Sequence, residues 1–264
     1  MSEKKHKKIK WKNLLLIVLA TIIACSGIYI GKYYYDQAKA REANEKLKEL
    51  AQQETPIPSA TATATATAPV IPVDFASLQA QYPDIYAWID VPGTQVSYPI
   101  VQSSNSNVDY YLTYTLDGQY PRPGAIYTQY TYSTKDFDGY NEVVYGHGMR
   151  DMTMFGSLVD YLDNQQFLLD NSEIKIYTPT KALKYKIYAC VVYDDRLIPA
   201  SFDFNSTFGR QAFIDSINAA SADSRSVYNP NVKISADDHL ITLSTCIYLE
   251  TTVRQLVVGV LEDN

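Results

Sequence analysis

A chain of 264 residues with 46% hydrophobic and 12% aromatic residues can build a real core, as one large domain or two small ones. Its charge is split: residues 1–73 carry 11 Lys/Arg against 6 Asp/Glu, and residues 74–264 carry 12 against 23. The acidic part excludes nucleic acid as a partner, since phosphate binding needs clustered positive charge, and three scattered cysteines exclude a disulfide scaffold.

The first 12 residues hold Lys4, Lys5, Lys7, Lys8, Lys10 and Lys12, and residues 14–30 are an uncharged, apolar run. That run sits at the short end of what spans a bilayer. Lysines before it place the N-terminus in the cytoplasm. Residues 1–13 therefore read as a cytoplasmic basic segment and 14–31 as a transmembrane signal anchor. A lipoprotein signal is the competing reading, because Ile22, Ile23 and Ala24 precede Cys25. The apolar run continues past Cys25 through Ile28, Tyr29 and Ile30, which a cleaved signal does not need, and this favours the anchor. Both readings put the rest of the chain outside the cytoplasm, as a single-pass protein of the cell membrane.

Residues 32–73 read as a linker. Residues 32–54 are rich in helix formers but poor in apolar positions, which describes a solvated helical stalk. Residues 55–72 are Pro/Thr/Ala-rich and form an extended spacer, reaching at most about 60 Å.

The folded domain is expected over 74–264. Phe75, Leu78 and Tyr82, then Ile85 and Trp88, are spaced for one or two short helices, broken by Pro83. Strand signals follow at 88–91, 96–101, 125–127 and 142–145, with a turn at Pro92-Gly93-Thr94. Residues 154–169 carry apolar side chains at helical spacing. Residues 173–177 and 184–193 read as strands, and 207–222 as a helix with Thr207 at its cap. Two apolar runs, 241–246 and 254–261, form a closing hairpin that folds Arg254 back beside Cys246. The fold class is mostly β, a largely antiparallel barrel or sandwich with a few inserted helices.

A reactive thiol needs positive charge or a base nearby, because the thiolate is the nucleophile. Cys246 has Arg254 within hairpin reach. Cys190 lies in a strand-like run and reads as a buried small hydrophobe, and Cys25 lies in or beside the membrane. Among the histidines, His6 is cytoplasmic. His239 lies seven residues before Cys246 on the same strand, roughly 23 Å away and on the opposite face. That leaves His147, displayed between Gly146 and Gly148. The chain has no zinc-ligand spacing, phosphate loop or Gly-x-Ser-x-Gly elbow, so neither metal nor cofactor is expected. Asp194-Asp195 and Asp237-Asp238 read as solvated loop charges.

Taken together, these residues resemble a class B sortase, a membrane-anchored cysteine transpeptidase of Gram-positive bacteria. The resemblance covers about residues 74–264. It is carried by Tyr86-Ala87-Trp88-Ile89 through Pro92-Gly93-Thr94, by Tyr98-Pro99-Ile100-Val101-Gln102, and by Tyr110-Tyr111-Leu112 with Gly124-Ala125-Ile126-Tyr127. Tyr145-Gly146-His147 with Met149, Met154 and Phe155, and Thr242-Leu243-Ser244-Thr245-Cys246 with Arg254, complete it. The resemblance implies the sortase β-barrel with N-terminal helices, the 207–222 helix being the class B insertion.

It also implies that Cys246 attacks the carbonyl after Thr in a five-residue C-terminal sorting signal of a secreted protein. His147 would protonate the leaving amine and deprotonate the incoming one. Arg254 would hold substrate and oxyanion, on the order of 3 kcal/mol for one good donor. Ser244 and Thr245 would line the substrate groove, with Leu112 beside them. The acceptor would be an amino group of a peptidoglycan precursor or a pilin-type surface protein. Two departures stand out: Gly148 where the family usually has Asn, and Gln129 where it often has Asp. Two other readings are a non-catalytic surface or adhesion module on the same barrel, and a plain cysteine endopeptidase.

Overall fold

The computed structural model describes residues 11–52, 70–120 and 124–262. The basic segment up to Lys10 and the spacer over 55–69 lie outside the described residues. The chain divides into two compact units between Lys46 and Leu47.

Helix α1 (Trp11–Ala51) joins the apolar run and the charged stalk in one helix of 41 residues, about 60 Å long at 1.5 Å per residue. Its most apolar 18-residue window has a mean hydropathy of 2.5 and none of it is buried. By length and composition it can cross a membrane.

In the second unit, Asp74 caps α2 (Phe75–Gln81) by accepting from the Ser77 amide at 3.0 Å. Phe75 and Leu78 face inward. The second short helix expected from Ile85 and Trp88 is instead strand β1 (Ile85–Asp90). Residues 85–89 are all buried. In a strand covered on both faces the spacing of apolar residues carries no period, so three-residue spacing misleads there.

The remaining strands are β2 (Ser97–Gln102), β3 (Ile126–Thr128), β4 (Asn141–Tyr145), β5 (Glu173–Tyr177), β6 (Ala182–Asp194), β7 (Val227–Tyr228), β8 (Leu240–Ile247) and β9 (Glu250–Leu261). They run in the order β5-β1-β2-β3-β4-β8-β9-β6, and β5 pairs again with β6. This closes an eight-stranded barrel, with β7 added beside β6. Closure removes the exposed sheet edges that invite aggregation. Two pairs, β2–β3 and β4–β8, are parallel, and the others in the ring are antiparallel.

All eight barrel strands feed the largest core cluster, for example through Ile89, Ile100, Ile126, Val144, Ile174, Ile187, Leu243 and Val257. A short helix α3 (Tyr110–Thr113) precedes β3. The helix expected over 154–169 is two pieces, a 3-10 helix (Gly156–Tyr161) and α4 (Gln165–Asp170). Asp163 at φ 54° and the Asn164 side chain, which caps the Phe167 amide at 3.1 Å, interrupt it. After α5 (Ile198–Ser201) comes α6 (Thr207–Ala219), which packs Phe213 and Ile217 on a second cluster with Ala189, Val191 and Val258. Ser206, not Thr207, is its cap: the hydroxyl accepts from the Gly209 amide at 3.1 Å.

Candidate active site

Strand β8 lies between β4 and β9. On one side the parallel ladder with β4 ends at Tyr145 opposite Ser244, and the Gly146 amide still donates to the Ser244 carbonyl at 3.2 Å. The ladder stops two residues short of His147 and Cys246, and beyond it the Gly148 position comes against the Cys246 carbonyl. On the other side Cys246 pairs directly with Arg254 of β9. The β8–β9 hairpin thus sets thiol and guanidinium side by side, and the loop after β4 carries the imidazole to the same end of the barrel.

Cys246 is exposed, whereas Ser244 and Thr245 before it are buried, at 7% and 3% exposure. The Thr245 hydroxyl is buried without a hydrogen-bond partner among the described residues. His147 is half-buried, and its Nε2–H donates to the Leu112 carbonyl at 2.6 Å. A carbonyl only accepts, so this bond fixes both the ring and the nitrogen that carries its proton. The Leu112 side chain is itself 42% exposed. Arg254 is half-buried, and its Nη1 donates to the Val253 carbonyl at 2.9 Å.

The loop after His147 is tight. The Phe155 amide donates to the His147 carbonyl at 3.0 Å, and Gly148 bridges to Met154. A Cβ placed on Gly148 would lie 2.3 Å from the Cys246 carbonyl oxygen and 3.1 Å from the Thr245 hydroxyl. Glycine here is what lets the histidine loop pass close against the cysteine strand. The other departure also has a role: Gln129 Nε2 donates to Asp109 at 2.6 Å, and the Tyr127 hydroxyl donates to the same oxygen at 3.1 Å. Together they tie the entrance of α3, and through it Leu112, to the end of β3.

Cys190 is fully buried, and burial pushes its thiol up to about 12 despite a hydrogen bond from Gln255 at 3.2 Å. Cys246 should therefore be alkylated by iodoacetamide at neutral pH while Cys190 stays unmodified until the protein is unfolded. Peptide-resolved mass spectrometry checks this; equal labelling of both in the folded protein would contradict it. His239 is exposed and donates to the Gly139 carbonyl at 3.0 Å, at the far end of β8. Asp194 pairs with Arg196, and Asp238 accepts from the Ser235 amide. Neither aspartate pair joins the site.

The sequence alone does not disclose the Leu112 carbonyl, the close pass of Gly148 or the orphaned Thr245 hydroxyl. The one available signal was the replacement of Asn by glycine after His147.

A closed eight-stranded barrel that presents a thiol beside a guanidinium, with an imidazole loop at the same end, holds the groups that a cysteine-nucleophile enzyme uses. A family model described as "Sortase domain" matches residues 89–262. The chain is similar to the sortase B of Listeria monocytogenes, 28% identical over 242 residues, covering 92% of each chain. It is similar to that of Staphylococcus aureus, 29% identical over 256 residues, covering 95% of this chain and 96% of the relative. A solved Staphylococcus aureus sortase B–substrate complex superposes with a TM-score of 0.66 at 26% identity, covering 87% of this chain and 99% of that one. The chain belongs to the sortase family, as a cysteine transpeptidase of class B.

Proposed function

We propose that Cys246, His147 and Arg254 are the reacting set, and that the substrate is a secreted protein with a C-terminal sorting signal containing Thr. The observation that supports this reading is the strand register: β9 pairs Arg254 with Cys246, and the β4–β8 ladder runs up to two residues before His147 and Cys246. The Cys246 thiol gives its proton to the free Nδ1 of His147 as its sulfur attacks the carbonyl carbon after Thr. Negative charge gathers on the carbonyl oxygen, where the Arg254 guanidinium stabilises it. The C–N bond then breaks and the departing amine takes a proton from His147, leaving a thioester on Cys246. An incoming primary amine attacks the thioester and gives its proton to His147. A new amide forms as the C–S bond breaks, and the departing sulfur takes that proton from His147, which restores the thiol.

In this reading Leu112 has two parts. Its carbonyl orients His147, and its exposed side chain borders the groove. Ser244 and Thr245 form the floor beside the nucleophile, with the Thr245 hydroxyl available to a bound peptide.

The acceptor is an amino group of a peptidoglycan precursor or of another surface protein. Residues 14–31 anchor the chain with its N-terminus in the cytoplasm. Residues 32–73 act as stalk and spacer, and 74–264 form the catalytic domain outside the membrane, where secreted substrate and acceptor meet.

The test uses the full chain in detergent with a library of Thr-containing pentapeptides, with and without triglycine as the amine. Added amine should raise turnover and yield a product extended by triglycine. Hydrolysis that amine neither accelerates nor diverts would replace this reading with a plain endopeptidase.

A further inference from the structure

The β4–β8 ladder stops at Tyr145 and Ser244, so no strand pairing aligns His147 with Cys246. The β8–β9 register is also irregular immediately after Cys246. The turn that follows has two exposed apolar residues, Tyr248 at 48% and Leu249 at 80% exposure, and Leu249 sits at φ +65°. A leucine in the left-handed region persists only where its surroundings hold it.

Two arginines from separate loops hold this turn. On one side Arg150, three residues after His147, places its guanidinium carbon 3.9 Å from the centre of the Tyr248 ring. That is well inside cation–π range. On the other side Arg225 donates to both carboxylate oxygens of Glu250, at 2.6 and 3.3 Å. Arg225 is itself fixed by Asp223 at 2.9 Å and by the Asp163 amide, which donates to its carbonyl at 2.8 Å. The Arg225 side therefore ties the turn to the body of the barrel. The Arg150 side ties it to the histidine loop.

We propose that Arg150 and Tyr248 are positioning residues, whose stack locks the His147 loop to the turn after Cys246 and so keeps the two side chains in register. This rests on Cys246 and His147 being the reacting pair. The stack acts through the face of the Tyr248 ring, not its hydroxyl, and it needs both members. If Arg150 acted on the thiol by charge alone, removing the tyrosine ring would not matter.

The experiment compares the full chain in detergent as wild type, Arg150→Gln, Tyr248→Leu, Tyr248→Phe and the Arg150→Gln/Tyr248→Leu double variant. The rate of Cys246 alkylation by iodoacetamide at neutral pH is read by mass spectrometry, so no sorting peptide is needed. Both residues are exposed, so thermal midpoints should match wild type. Arg150→Gln and Tyr248→Leu should each slow alkylation by about two- to fivefold, the range for an exposed cation–π contact. Tyr248→Phe should match wild type, and the double variant should be no slower than either single one.

Wild-type rates in Tyr248→Leu, equal slowing in Tyr248→Phe, or additive losses in the double variant would each overturn the proposal. Failure of every peptide to acylate Cys246 would instead overturn the assignment of the reaction, and these rates would be unchanged by it.

Discussion

Arg254→Ala is expected to lower kcat/KM for a Thr-containing peptide by about 10²- to 10³-fold, the usual cost of removing one preorganised oxyanion donor. The position of this guanidinium follows from backbone alone, since Arg254 is the cross-strand partner of Cys246 in the β8–β9 ladder. Its donors form a planar fork. Arg254→Lys keeps the charge but loses the fork, and should recover only part of the rate. Arg254 is half-buried at the barrel end, away from the core clusters, so the loss should appear in turnover more than in the thermal midpoint. Peptide cleavage kinetics, normalised to titrated Cys246, measure it. A loss below about tenfold would mean that the oxyanion is stabilised elsewhere, against the typical cost of one donor.

Gly148→Ala carries the second large effect. Its methyl carbon would sit 2.3 Å from the Cys246 carbonyl oxygen, a backbone atom that cannot rotate away. Either the histidine loop or the end of β8 must move. Overpacking of this kind costs about 1–3 kcal/mol of stability. The larger consequence is geometric, because displacing a reacting group by about 1 Å can cost about 100-fold in rate. Gly148→Ala should therefore fold, melt somewhat earlier and lose about two orders of magnitude in kcat. Gly148→Asn should be no better, because the close pass belongs to this backbone. Wild-type turnover in either variant would show that the approach of the two strands is not needed.

Much of this was legible in the chain because the signals are local. The β-branched run ending at Cys246 and the second run starting at Arg254 specify a hairpin, and a hairpin fixes which residues face each other. Paired glycines around His147 mark a displayed side chain. Asp74 announces the start of α2 by its capping chemistry.

The rest depended on partners far away in sequence. β1 is buried on both faces, which erased the alternation that would have marked Ile85 as strand. Asn164 looked like one more position in a periodic helix, yet it caps a new one. The parallel pairing of β4 with β8 joins residues about a hundred positions apart, and no local pattern encodes it. That pairing brings the loop that carries His147 to the end of β8, so the pairing of thiol and imidazole comes from elimination and family resemblance, not from spacing. The Arg150–Tyr248 stack was invisible for the same reason.

The central claim is that Cys246 carries the acyl group between donor and acceptor. Its most direct test is intact-mass and peptide mass spectrometry of the full chain in detergent, quenched after mixing with the Thr-containing peptide library in the absence of amine. The expected result is an added mass equal to a peptide fragment ending in Thr. It should lie on the peptide that holds Cys246, be released by hydroxylamine as a thioester is, and be absent from Cys246→Ala. Peptide cleavage that continues undiminished in Cys246→Ala, with no adduct on the wild-type thiol, would contradict it.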